Sequence, residues 1–292
     1  MIIWLASYPK SGNTWIRTII GQIINNNFDS NDVFKESKNI ELYPSKKFFR
    51  DLDNHFNLSV FPQEKKKIIF KKTALNWDTS QSRINISKDI KIFKTHNMLC
   101  KLNIDGKLCS FTGLDNCLGV IHIVRDPRNV FTSLKNHFSI KDDDSAFRFI
   151  TNDNQSIGLD ENNIPQLLSS WKNHYNSWKR FPNNNLLIKY EDLIRDPKKE
   201  ITKLIKYLDQ FYDILISDDN INKIINNSSF KNLKNLEENG FFDENSVNKH
   251  TNEKKKFFNL GPQNDWKSLL HKKTITNLQN IFNSEMKELG YL

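Results

Sequence analysis

Lys10, Ser11, Gly12, Asn13 and Thr14 follow one another between Tyr8-Pro9 and Trp15. A lysine, two hydroxyls and a glycine in a tight Pro-Lys-Ser-Gly turn suit anion binding, because backbone N–H groups, a cation and hydroxyl donors can converge there on a phosphate or a sulfonyl group. The order of residues inside the turn narrows the ligand. A nucleotide-binding Walker loop reads G-x-x-x-x-G-K-[ST], with a hydroxyl placed for magnesium. Here Lys10 precedes Gly12, and no glycine occurs between Met1 and Gly12, so the Walker pattern is a poor match.

The flanking elements must position this turn. Ile2, Ile3, Trp4, Leu5 and Ala6 read as a buried strand, and Trp15, Ile16, Ile19, Ile20, Ile23 and Ile24 recur at helical spacing. The helix start adds the positive end of its dipole. Further along, Ile90-Lys91-Ile92-Phe93 reads as a strand ending at Lys94-Thr95-His96, and Val120 to Val124 as a central strand ending at Arg125. Pro127 sits where a first helical residue would, followed by Val130, Phe131 and Leu134 at helical spacing. Trp171, His174, Tyr175 and Trp178 mark an amphipathic helix, and Leu186-Leu187-Ile188 a short strand ending at Tyr190-Glu191-Asp192. Helices are expected over Pro197 to Tyr207 and Thr274 to Leu289. Strands alternating with helices predict an α/β fold with a parallel sheet covered on both faces. In such sheets ligands gather at the carboxyl ends of the strands. Lys10, His96, Arg125 and Tyr190 all follow a predicted strand end.

The octet Tyr8 to Trp15 resembles the 5′-phosphosulfate loop of the sulfotransferase family, Y-P-K-S-G-T-T-W, and departs from it only at Asn13. Lys94-Thr95-His96 is similar to the family's catalytic tripeptide, and Arg125 through Ser133 to its 3′-phosphate signature. Tyr190-Glu191-Asp192 resembles the segment whose tyrosine lies near the adenine, and Asn227-Ser228-Ser229-Phe230-Lys231 the stretch that offers the purine an aromatic edge. Asn259-Leu260-Gly261-Pro262-Gln263-Asn264-Asp265-Trp266-Lys267 resembles the C-terminal loop R-K-G-x-x-G-D-W-K. Here Asn259 and Leu260 replace the Arg-Lys that grips the 3′-phosphate, and Asn264 replaces a glycine.

The resemblance, to cytosolic-type and bacterial members alike, implies a single P-loop-NTPase-like sulfotransferase domain over residues 1–292, with a central parallel sheet flanked by helices. It implies transfer of a sulfonate from 3′-phosphoadenosine 5′-phosphosulfate (PAPS) to a hydroxyl or amine, leaving adenosine 3′,5′-bisphosphate, with no metal. His96 would be the general base, since a neutral imidazole can take the acceptor's proton. Lys10 would stabilise charge on the leaving phosphate and Lys94 the sulfonate oxygens. Ser11, Gly12, Asn13 and Thr14 would bind the 5′-phosphate, and Trp15 a face of the purine. Arg125 and Ser133 would hold the 3′-phosphate, which a guanidinium fork suits; Arg125 could instead form an ion pair with Asp126 or Asp192. Tyr190 and Phe230, beside Ser228, either border the purine or close the core. At Asn259, Leu260 and Gly261 the 3′-phosphate is either held more weakly, or backbone N–H groups and one of Lys254, Lys255 and Lys256 substitute.

The bulk properties agree with one large α/β domain, or such a domain with an appended lobe: the chain has 292 residues, 37% of them hydrophobic. No run approaches the roughly eighteen apolar residues needed to span a bilayer. If Met1 is the natural start, there is no leader, and the expected location is cytoplasmic. Cys100, Cys109 and Cys117 are odd in number and lack metal spacing, so reduced thiols are expected. The net charge of +9 suits a polyphosphate-like cofactor. It also fits a non-catalytic polyanion binder, but the lysines are scattered in an Asn- and Ile-rich background typical of an A/T-rich genome, and no nucleic-acid partner is expected. A nucleotide kinase or NTPase is the other alternative and would need a magnesium-binding hydroxyl and carboxylate. The stretches 26–85 and 139–163 read as polar excursions, either acceptor-side loops or surface loops of no consequence. The acceptor would be a small-molecule, carbohydrate or lipid-type hydroxyl. His137, Phe138, Trp171, His174 and Trp178 are candidate linings, although the tryptophans equally suit a core. Oligomeric state is not readable.

Overall fold

The computed structural model describes residues 1–49, 62–158, 164–182, 184–244 and 255–292. Its strands are β1 (Ile2–Ser7), β2 (Glu41–Leu42), β3 (Lys91–Thr95), β4 (Lys101–Ile104), β5 (Lys107–Ser110), β6 (Cys117–Val124), β7 (Ser156–Ile157), β8 (Gln166–Leu167) and β9 (Asn185–Lys189). Five of them form the central sheet in the order β2-β3-β1-β6-β9. β1 pairs in parallel with β3, from Ile2 opposite Lys91 to Ala6 opposite Thr95, and β2 pairs in parallel with β3. Helices flank this sheet. β1 is apolar from Ile2 to Ala6 because it is buried along its whole length, as a central parallel strand covered on both faces must be.

The helix starts have readable causes. Asp126 accepts the N–H of Arg128 and Pro127 opens the helix Pro127–Phe138. Ser170 caps Trp171–Lys179 and Asp196 caps Pro197–Leu208. The C-terminal segment departs from expectation. It forms two helices, Lys272–Ile281 and Asn283–Glu288, parted at Phe282, whose ring is buried.

The chain divides into two compact units. The first contains Met1–Tyr8, Ile40–His122 and Thr151–Leu187; the second contains Pro9–Asn39, Ile123–Ile150 and Ile188–Leu292. An aromatic cluster of Trp4, Tyr43, Trp77, Phe93, Phe111 and Trp178 forms the core of the first unit. The lysine-rich stretch 26–85 contributes to it through the helices Pro62–Leu75 and Trp77–Ile84, which bury Ile69 and Trp77. Cys100, Cys109 and Cys117 are buried free thiols. In the second unit Val33, Phe34, Leu233, Leu236, Phe242 and Phe258 pack together, with Trp15, Phe230 and Phe257 against them.

Candidate active site

The chain leaves β1 through a turn that no ordinary backbone makes. Lys10 has φ 68 and Gly12 φ 103, both left-handed. At Gly12 a glycine is required twice over, because a Cβ there would also lie 2.7 Å from Cδ2 of Tyr190. Lys10 accepts the conformation at a cost of about 1 kcal/mol. Strain of this kind concentrates at working sites. The helix Asn13–Ile24 starts immediately afterwards, and no side chain caps its N-terminus. Gly12, as the cap residue, offers no side-chain acceptor, and the positive end of the helix dipole at the turn favours an anion.

Arg125 is brought to this turn by the end of β6. Its Nη1 donates to the carbonyl of Lys10 at 3.1 Å, and its guanidinium lies 4.0 Å from the centre of the Tyr190 ring. Tyr190 in turn meets Trp15 edge-on, with centroids 5.4 Å apart. The ion pair considered for Arg125 does not form with either carboxylate: Asp126 pairs with Arg128 at 2.6 Å and Asp192 with Arg195 at 2.6 Å. Among the described residues, the buried Ser11 Oγ and Arg125 Nε have no hydrogen-bond partner. The Lys10 ammonium sits 3.8 Å over the Phe257 ring. Burial first, then the charge of Arg125, push it down to about 7, with Glu237 partly opposing. Two basic side chains and unsatisfied donors at one turn suit a multiply charged anion.

The C-terminal loop is fixed to the same unit. Glu237 accepts the N–H groups of Phe257 and Phe258 at 2.6 and 2.9 Å. Gly261, at φ 50, packs directly on Phe230, and any Cβ would overlap that ring. Asn259 and Leu260 are exposed. Lys255 is occupied by the carbonyl of Asn136 at 2.8 Å and by the Ser139 hydroxyl, and Lys256 by Glu238 at 3.0 Å; Lys254 lies outside the described residues. Asn264, which stands where the pattern has glycine, is buried and stitches the loop to the helix that carries Ser133. It accepts from Thr132 Oγ1 at 2.7 Å and donates to the carbonyl of Asn129 at 2.9 Å. Ser133 itself is half-buried. The hydroxyl of Ser228 is spent locally, on the carbonyl of Ile224 at 2.6 Å.

His96 follows β3 in the first unit. Its Nδ1 lies 2.8 Å from the carbonyl of Ser7 and 3.3 Å from the Ser7 hydroxyl. A carbonyl can only accept, so Nδ1 carries the proton and Nε2 the lone pair. Lys94 is half-buried on β3, and its carbonyl accepts from Tyr43 N–H at 2.9 Å. Trp171 and Trp178, weighed as acceptor linings, are at most 1% exposed and belong to the core. His174 is also buried, edge-on to Tyr8 with centroids 5.6 Å apart. His137 and Phe138 are half-buried in the second unit, with centroids 4.7 Å apart.

The second unit thus gathers Lys10, Ser11, Gly12, Trp15, Arg125 and Tyr190 around one turn, with Asn13 and Thr14 opening the helix behind it. Phe257 and Asn264 are additions that sequence reasoning missed. One is an aromatic in an undistinguished run, and the other stands out in the sequence only as a departure from the family pattern. Among the described residues, no three His, Cys, Asp or Glu side chains cluster as a metal site.

Comparison with known proteins gives this arrangement a family. A model of the sulfotransferase domain matches residues 2–290. Cytosolic sulfotransferase 10 of Arabidopsis thaliana is 22% identical over 294 residues, a match covering 99% of this chain and 79% of that protein. A crystal structure of retinol dehydratase in complex with androsterone and the inactive cofactor PAP superposes with a TM-score of 0.58 at 17% identity, covering 98% of this chain and 80% of that one. Mouse sulfotransferase SULT7A1 complexed with PAP gives 0.57 at 18% identity, with 98% and 84% covered. Matched along nearly its whole length, the chain belongs to the sulfotransferase domain family and is a transferase of sulfonate groups.

Proposed function

We propose that the protein moves a sulfonate from PAPS to the hydroxyl, or amine, of a small acceptor and releases adenosine 3′,5′-bisphosphate. The observation that carries this reading is the turn at Lys10, where Ser11 Oγ and Arg125 Nε are buried without partners beside a crowded ammonium. Donors and cations so placed fit a nucleotide bearing phosphate at both ends. When bound, PAPS supplies a sulfonate already attached to a good phosphate leaving group.

The chain's residues then have distinct roles. Ser11, Gly12, Asn13 and Thr14 grip the 5′-phosphate through the helix start. Lys10 holds the negative charge that grows on the leaving oxygen, and Lys94 steadies the sulfonate oxygens. His96 takes the acceptor's proton at Nε2 as the new S–O bond forms. Little covalent chemistry is asked of the protein; in-line transfer of this kind is catalysed by positioning and charge stabilisation, and no metal is called for. Trp15, Tyr190 and Phe230 border the purine, with Ser228 supporting Phe230. Arg125 and Ser133 hold the 3′-phosphate. The uncharged Asn259-Leu260 and Gly261 contribute backbone groups there.

The same reading takes residues 1–292 as one working domain of a cytoplasmic, bacterial-type enzyme. Among the described residues, no helix is long and apolar enough to cross a membrane. Since the retinol dehydratase structure holds androsterone, lipid-type alcohols belong in the acceptor panel beside phenols and sugars. The test is incubation with sulfur-labelled PAPS and that panel. Label should pass to an acceptor with stoichiometric release of the bisphosphate; transfer of phosphate from ATP instead would overturn the reading.

A further inference from the structure

The segment carrying His96 is bound, residue after residue, by the stretch 166–178, all within the first unit. The N–H of His96 donates to Gln166 Oε1 at 2.9 Å. Asn97 Oδ1 accepts the N–H of Leu167 at 2.8 Å, and the Asn97 carbonyl accepts from Trp178 Nε1 at 2.9 Å. Met98 donates to the carbonyl of Leu167 at 2.8 Å, and Leu99 to Ser177 Oγ at 3.0 Å. The N–H of Asn97 donates to Thr95 Oγ1 at 3.1 Å.

Two of these bonds act on the direction of the His96 side chain. The N–H of residue 96 belongs to the peptide plane before its Cα, and the C=O to the plane after it. Gln166 holds the first plane, and Thr95 Oγ1, which accepts the Asn97 N–H of the second plane, holds the other. With both planes fixed, the Cα–Cβ vector is fixed, and the bond from Nδ1 to the Ser7 carbonyl then sets the ring. Gln166 is itself immobilised. It is 3% exposed, and its backbone lies in the ladder opposite Ile157.

We propose that Gln166 is a positioning residue that keeps the His96 imidazole in its Nδ1–H tautomer with Nε2 presented for proton abstraction. The proposal rests on the reading of His96 as the base. Displacement of a reacting group by about 1 Å is enough to cost on the order of 10²-fold in rate.

The test reads the imidazole itself and needs no acceptor. Nitrogen-15 NMR of histidine-labelled protein, with His96→Ala to assign the signal, should show a single Nδ1–H tautomer for His96. Gln166→Leu should give a mixed tautomer while affinity for adenosine 3′,5′-bisphosphate stays within about twofold of the original. Gln166→Glu keeps the acceptor and adds a charge, so it should retain the tautomer and move the His96 titration to higher pH. A folded Gln166→Leu protein with an unchanged tautomer overturns the proposal. If that variant does not fold, an unmoved His96 titration in Gln166→Glu does so instead. Wild-type PAPS turnover by His96→Ala would remove the base role while leaving the clamp on the ring intact, so the two ideas fail separately.

Discussion

At Lys10 a left-handed backbone and a buried ammonium coincide, and each disfavours the unliganded site. Its amine, held down to about 7, should recover a higher value when phosphate charge arrives beside it. Binding of adenosine 3′,5′-bisphosphate is then coupled to proton uptake, and its affinity should fall as pH rises above about 7. Calorimetry in buffers of different ionisation enthalpy measures that uptake directly; a flat affinity across the range would mean that Lys10 does not face the ligand. His96 has the complementary behaviour. His96→Ala should lose about 10²- to 10⁴-fold in turnover, the usual worth of a general base. Its bisphosphate affinity should be kept, and collapse of that affinity in a folded variant would reassign His96 to cofactor binding.

Among the elements, the C-terminal loop depends on close approach. Gly261→Ala drives a methyl group into the Phe230 ring from a backbone already at φ 50, so the loop or the ring must move. A loss of about 1–3 kcal/mol is expected from such overpacking, together with weaker bisphosphate binding. Denaturant midpoints and titrations on Gly261→Ala, and on the double variant with Phe230→Ala, test this, because removing the ring should restore stability. Much of the frame was legible. Pro127 at a first helical position, the spacing of Trp171, His174, Tyr175 and Trp178, and the stretch from Pro197 to Tyr207 announced helices that the structure contains. β3 ends where Lys94-Thr95-His96 suggested it would. Other features had no signature. The helix Pro62–Leu75 was hidden by its many lysines, Trp77–Ile84 because two of the three residues it buries, Ser80 and Gln81, are polar, and the break at Phe282 because the apolar spacing runs through it. Gln166 lies in a two-residue strand, too short to show any periodicity. The contact of Lys10 with Phe257 depends on tertiary packing alone.

For the molecule as a whole, the excess of 43 basic over 34 acidic residues matches a polyanionic ligand but does not select one. Selection comes from the turn, and the response to acid from the core. His122 is pushed down to about 3 by burial, and His174 is held well below its ordinary value by burial and then by His122. The unfolded chain therefore takes up protons that the folded chain refuses, so stability is full above about pH 6.5 and is lost as pH falls below it. Each such imidazole can add up to roughly 1.4 kcal/mol per pH unit to that slope. Urea midpoints measured at successive pH values should show a shallower slope for His122→Phe, and an identical slope would mean that His122 is not the group refusing the proton.

Titration calorimetry interrogates the turn between β1 and its following helix without need of an acceptor. Adenosine 3′,5′-bisphosphate should bind saturably without magnesium and more tightly than ATP with magnesium. Arg125→Ala should weaken that binding by about 1.5–3 kcal/mol, the range for a hydrogen bond to a charged group. Preferential binding of magnesium ATP, or bisphosphate affinity untouched by loss of Arg125, would contradict the account.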